Sequence, residues 1–116
     1  MTQMADLTIS IAKDFSQYPA GRTRRDGPNS AERFRDEVPA LQKAVAAGLQ
    51  VIVELDGVYG YSSSFLEETF GGLVRRKVLS PKDIRRTLVI LAKNPIYASV
   101  KMDAEAYLRD ELTHAA

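Results

Sequence analysis

Short apolar runs separated by polar connections divide the chain into strands and amphipathic helices. Val51, Ile52, Val53 and Leu55 form a β-branched, nearly continuous run. That is the pattern of a strand covered on both faces in a parallel or mixed sheet, so this segment is expected at the sheet's centre. Asp56-Gly57 ends it. Ser62, Ser63 and Ser64 then precede Phe65, Leu66, Phe70, Leu73 and Val74 at helical spacing, with Glu67, Glu68, Arg75 and Arg76 on the opposite side. Ser64 and Glu67 fit a capping box, in which the serine hydroxyl accepts from the backbone three residues on and the glutamate reaches back. The helix is therefore expected to begin at Phe65, with Glu68 exposed or facing a partner.

The remaining elements follow from the same reading. Leu7, Ile9 and Ile11 alternate with polar or small residues, which predicts a strand at or near a sheet edge. Residues 14–29 collect Pro19, Gly21, Gly27 and Pro28 with several charges and read as a long loop. Asn29 or Ser30 can cap a helix whose stripe is Phe34, Val38, Leu41 and Val45, with Pro39 forcing a kink or two short helices and Gly48 ending it. Ser80-Pro81 starts a short helix through about Arg86, Leu88 to Leu91 form a third strand buried on both faces, and Asn94-Pro95 starts a last helix. Its inner face is Val100, Ala104, Tyr107, Leu108 and Leu112. The expected fold is α/β: a mixed sheet of about three to five strands, helices mostly on one face, in one domain over residues 1–116 with 1–6 and 113–116 as flexible tails. Gly71-Gly72 inside a helix signals a close approach, by the underlying sheet in preference to a partner.

Composition narrows the chemistry. The chain has 116 residues, no cysteine and one histidine, His114, so disulfides, thiolate nucleophiles and zinc-thiolate sites are excluded. No phosphate loop, dinucleotide fingerprint or metal-ligand pattern is present, and a lone terminal histidine has nothing to orient it as a base. No enzyme activity, catalytic residue, cofactor or metal is expected. No run approaches the roughly 18 apolar residues that would cross a bilayer, so a cytoplasmic protein without a membrane partner is expected. Sixteen basic residues against fifteen acidic ones leave a net charge of +1, which selects neither nucleic acid nor membrane.

Charge is local. Arg22, Arg24, Arg25, Arg33 and Arg35 outnumber Asp26 and Glu32 by three. A solvated loop with internal pairing fits this stretch, and so does an anion contact, because guanidinium forks bind phosphate and carboxylate at two points. The serines allow two readings as well: a plain helix start after a turn, or hydroxyls that face a partner, Ser62 and Ser63 being the free ones if Ser64 is the cap.

The run LDGVYGYSSSFLEETFGGLV, together with the earlier PAGRTRRDGPNSAERFR, resembles the STAS-like domain family of unknown function, small bacterial proteins related to anti-sigma-factor antagonists. The resemblance extends from about Leu7 to Leu112, and its most specific part is Ser64-Phe65-Leu66 with Glu68 and Gly71, beside Gly21-Arg22. In the broader STAS group an Asp-Ser-Ser-Gly-Leu motif opens a helix after a strand, and a partner kinase phosphorylates its first serine. Laid on this chain, the motif falls on Ser62 to Leu66 and makes Ser63 the phosphoacceptor. Ser62 stands in place of the aspartate and Phe65 in place of the glycine. The resemblance implies a protein-interaction module that docks a histidine-kinase-type ATPase or an anti-sigma-like protein through Ser62, Ser63, Ser64, Phe65, Glu68 and Arg22. A homodimer is left open. The alternative is a binder of nucleic acid or phosphoanions through Arg22, Arg24, Arg25 and Arg33, in a defence or antitoxin-type system; nucleic acid is the less expected partner, since no aromatic residues interleave the arginines.

Overall fold

The computed structural model describes residues 6–37, 47 and 49–114. Among these, three parallel strands form one sheet: β1 (Leu7–Ser10), β2 (Val51–Glu54) and β3 (Leu88–Leu91), with β2 central. The apolar runs fall on these strands, and the 51–55 segment takes the central place its composition demands. Each strand is followed by helix: α1 (Ile11–Asp14) and α2 (Ala31–Glu37) after β1; α3 (Ser63–Leu66), a π-turn (Glu67–Gly71), α4 (Gly72–Arg75) and α5 (Pro81–Thr87) after β2; and a 3-10 turn (Pro95–Tyr97) leading into α6 (Ala98–His114) after β3. Parallel neighbours require such crossovers, since a hairpin cannot join them. The kinked helix or helix pair expected over Pro39, with Val38, Leu41, Val45 and Gly48, falls outside the described residues. The last helix runs through His114, into the segment expected as a tail.

Register decides which side chains reach the core. Leu7, Val51 and Leu88 form one rung and Ile9, Val53 and Ile90 another, on the same face because side chains alternate along a strand. Val51, Val53, Ile9 and Ile90 are buried there against Phe65, Leu66, Phe70, Leu73, Ala104 and Leu112. The alternate rungs, Thr8–Ile52–Val89 and Ser10–Glu54–Leu91, are less covered. Two-sided burial of β2 and β3 is thus corrected: only Val51 and Val53 of β2 and Ile90 of β3 are fully buried, all on the one face.

Phe65 is fully buried and is the aromatic hinge of this core. Phe15 stacks on it at 6.2 Å, Phe34 meets it edge-on at 6.3 Å, and Tyr61 lies at 6.3 Å. The expectation that Phe65 presents a docking surface is corrected, since its whole ring serves to join the 14–30 loop, α2 and α3.

The start of α3 is also corrected. Ser62, not Ser64, is the N-cap: its hydroxyl accepts from the Phe65 N–H at 3.2 Å while its own backbone is extended. Helix therefore begins at Ser63, two residues earlier than the capping-box reading. The reason lies in Glu67, which faces arginines and does not turn back to the helix start. Ser64 reaches only the Ser62 oxygen, at 3.3 Å. Ser62→Ala should cost about 1 kcal/mol in chemical denaturation, and Ser64→Ala less than about half of that. The reverse ranking would return the cap to Ser64.

Candidate functional site

All three strands run the same way, so the connections at their carboxyl ends gather along one edge of the sheet, where open α/β sheets place their ligands. Short polar contacts tie these connections together. Asp56, after β2, accepts the backbone N–H groups of Lys93 at 2.9 Å and Asn94 at 2.7 Å, after β3. Burial works against the Asp56 charge, but those two donors outweigh it and hold its pKa below the ordinary value. The Tyr97 hydroxyl donates to the Val58 carbonyl at 2.5 Å and the Tyr61 hydroxyl to the Leu55 carbonyl at 2.8 Å. Burial, with Tyr97 and Asp56 nearby, pushes the Tyr61 phenol well above its usual range, so it stays a donor. From the β1 side, Gln17 donates to Gly57 O and accepts from Tyr59 N–H.

This braced edge displays apolar side chains. Tyr18 and Tyr59 stack with centroids 5.0 Å apart, yet are 65% and 73% exposed. Ile96, after β3, is 72% exposed. Ser63 is exposed at the start of α3, and among the described residues its hydroxyl has no hydrogen-bond partner. The tyrosines and Ile96 were not singled out from sequence. Their signal was present, as large apolar residues in turns rich in Gly and Pro.

The second half of the site lies one turn along the helix. Glu68, expected to be exposed, is buried, and its carboxylate receives Arg35 at 3.0 Å, Arg75 at 3.0 Å and Arg76 at 2.6 Å. Arg35 also donates to the Glu68 carbonyl at 2.7 Å. Glu67 pairs with Arg22 from the 14–30 loop and with Arg75, at 2.9 Å, which bridges to Glu111 of α6 at 2.5 Å. Glu68 loses hydration on burial, yet the Arg76 hydrogen bond, the Arg35 charge and the Arg75 bond keep its pKa below the ordinary value. For Glu67 the Arg75 hydrogen bond is the main cause of the lowered pKa, and Arg22 adds to it against some burial. Carboxylate acceptors hold Arg75 firmly charged, the Glu67 bond first.

The glycine pair now has its explanation. A Cβ on Gly72 would lie 2.7 Å from Arg35 Nη1 and 2.8 Å from Glu68 Oε2, and one on Gly71 would lie 2.7 Å from Glu67 Oε2 and 3.2 Å from Glu111 Cγ. Ion pairs approach the helix here, not the sheet. The helix widens to a π-turn over the same residues, Glu67–Gly71, a form that recurs at functional positions.

The arginines of the basic loop are placed individually. Arg22 joins the glutamate cluster, Arg24 meets Asp36 at 3.3 Å, and Arg33 donates to the Pro28 and Asn29 oxygens at 2.6 and 3.2 Å and lies over the Phe15 ring. Arg25 is exposed beside Asp26. The loop closes on itself: Asp26 accepts the N–H groups of Arg22 and Thr23, each at 3.0 Å, and those bonds, Thr23 foremost, lower its pKa. Gly21 is required for this turn, since its φ is +89° and a Cβ would lie 2.6 Å from that of Asp26. Ser30 caps α2, accepting from Arg33 N–H at 3.2 Å, and Glu32 accepts the Arg24 N–H.

Among the described residues no group of three or more His, Asp or Glu side chains is arranged to hold a metal ion, and no helix is long and apolar enough to cross a membrane. The family model of a STAS-like domain of unknown function (DUF4325) matches residues 30–97. That span covers β2, β3, the serines and both glutamates. No curated protein and no solved structure matches the chain.

Two outcomes test the cluster. Gly72→Ala, usually a gain inside a helix, should destabilise by about 1–3 kcal/mol in urea because the buried pair must move. Glu68→Gln should cost about 3–5 kcal/mol at neutral pH by leaving Arg35 buried without its charge partner. The folded-state pKa values of Glu67 and Glu68 lie below the ordinary 4.5, so their contribution is complete above that pH and is lost as pH falls through the depressed values. The parent should lose stability on acidification below about pH 4.5 more steeply than Glu68→Gln. Equal acid slopes would remove Glu68 from that role.

Proposed function

The chain belongs to the family of STAS-like domains of unknown function, and from that premise we propose that it is a non-enzymatic docking module for another protein, switched by phosphorylation of Ser63. The binding face is the carboxyl edge of the sheet, centred on Tyr18, Tyr59, Ile96 and the Ser63 turn. One observation carries this reading: of the four most exposed large hydrophobic side chains among the described residues, three stand on the connections that follow β1, β2 and β3. Exposed aromatic side chains held by a rigid edge are the kind of anchor that dominates protein interfaces. The partner implied by the family resemblance is a histidine-kinase-type ATPase or an anti-sigma-like protein.

Ser63 suits a switch because it stands on that face with its hydroxyl uncommitted, while Ser62 takes the capping work. A phosphate would add about −1.5 to −2 charges. The fold tolerates negative charge at the first helical residue, whereas an apolar or acidic partner surface would not. Of the residues first assigned to the contact, Phe65 and Glu68 act from within, holding the face in place, and Ser62, Ser64 and Arg22 border it.

A photo-crosslinker at position 59 in the native host identifies the partner, and affinity is then measured with purified proteins. Tyr18→Ala and Tyr59→Ala should each weaken binding about ten-fold or more with unchanged melting temperature, and Ser63→Glu should weaken it comparably. Intact-mass measurement of protein from the host, with and without phosphatase, should show one phosphate on Ser63. Wild-type affinity in all three variants, with no phosphate under any growth condition, would overturn the reading.

A further inference from the structure

Ser63 and Glu67 lie one turn apart on the same helical run, the Glu67 N–H returning to the Ser63 and Ser64 carbonyls. Side chains at this spacing are neighbours, with Cβ atoms about 5–6 Å apart. Glu67 is the residue that holds Arg22, whose side chain is 45% exposed at the surface of the cluster. Resting on the proposal that Ser63 accepts a phosphate, we infer that Arg22 is the group that reads it: the guanidinium leaves Glu67 and pairs with the phosphoserine one turn away.

Three features make the exchange favourable. A phosphate dianion presents three strong acceptor oxygens to a guanidinium fork, and charge-assisted pairs of this kind are short and two-pointed. A phosphate beside Glu67 also repels that carboxylate, a repulsion relieved when a cation moves between them. Finally, the departure of Arg22 orphans nothing inside. Glu67 keeps Arg75 through both of its oxygens, at 2.9 and 3.1 Å, and Glu68, the buried carboxylate, loses only the longer 3.6 Å contact with Arg22 and keeps Arg35, Arg75 and Arg76. Arg22 is thus a cation of the cluster with a neighbouring acceptor to move to, and both glutamates stay paired when it leaves.

The backbone around Arg22 is prepared for a side-chain exchange without unfolding of the loop. Its N–H is held by Asp26 at 3.0 Å and its carbonyl by the Glu32 N–H at 3.0 Å, neither of which involves the guanidinium. The same loop carries Tyr18. Modification of the serine therefore changes the charge and the fastening of both halves of the binding face, the α3 start and the 14–30 loop.

The test installs phosphoserine at position 63 by genetic encoding, so that it does not depend on a kinase. Phosphorus NMR then gives the second pKa of the phosphate, ordinarily about 6. In the parent it should be depressed, in Arg22→Gln it should return to the ordinary value, and in Glu67→Gln, which removes the competitor but keeps Arg22, it should fall further than in the parent. Circular dichroism establishes that each variant is folded, and Arg22→Lys serves if Arg22→Gln is not, with a smaller depression expected from the lost fork. The same phosphate pKa in the parent and the Arg22 variant would overturn the inference. Absence of phosphate in the host, by contrast, bears on Ser63 as an acceptor and leaves this measurement standing.

Discussion

Much of this structure depends on one buried carboxylate. Glu68 sits in a helix that packs on the sheet, its side chain only 5% exposed, and a charge in such a place is costly unless it is paired and hydrogen-bonded. Arg35, Arg75 and Arg76 supply the pairing, and they come from α2, α4 and the residue just after it. Glu67 and Glu111 extend the network to the 14–30 loop and α6. One polar cluster therefore fixes how four separate stretches of chain meet. It also sets local backbone chemistry: glycines at 71 and 72 keep space for side-chain ends that any Cβ would meet below 3 Å.

The parallel sheet imposes a second constraint. Strands that all run one way send all their following connections to one edge, and these connections must satisfy their own backbone groups. Asp56, Gln17 and Tyr97 do so by bonding across connections and Tyr61 by bonding back within its own, so the edge is braced although it contains little regular structure. A rigid edge can hold large apolar side chains in water without collapse. The stacked tyrosines and Ile96 are its visible product, and the uncommitted serine lies beside them.

These two constraints meet at the start of α3. Ser62 ends the carboxyl edge and caps the helix, Ser63 faces outward, Phe65 enters the aromatic core, and Glu67 and Glu68 enter the ion network, all within seven residues. The family match includes this stretch. Edge, core and ion network are thereby joined through one short helical stretch, which makes it a natural point from which to alter the face.

Local physics was readable from the chain: the apolar runs at 51–55 and 88–91, the Ser80-Pro81 and Asn94-Pro95 helix starts, and the centrality of β2 follow from hydrophobic pattern and from capping chemistry that acts within a few residues. The serine-to-helix junction and the close approach at Gly71-Gly72 were legible for the same reason. What approached the glycines was not, nor was the partner of Glu67, because Arg22 and Arg35 lie 45 and 33 residues from the glutamates they meet. The capping-box reading of Ser64 and Glu67 failed on this point, as a local bond to an N–H lost to charge-assisted bonds from arginines that only the tertiary fold delivers. The stack of Tyr18 on Tyr59 belongs to the same class. Sequence by itself determined which segments are helix or strand and which faces are apolar, since those depend on neighbours along the chain; the first residue of α3, the pairing of charges and the shape of the binding edge were decided by contacts between segments, whose energies depend on positions that only the folded chain sets.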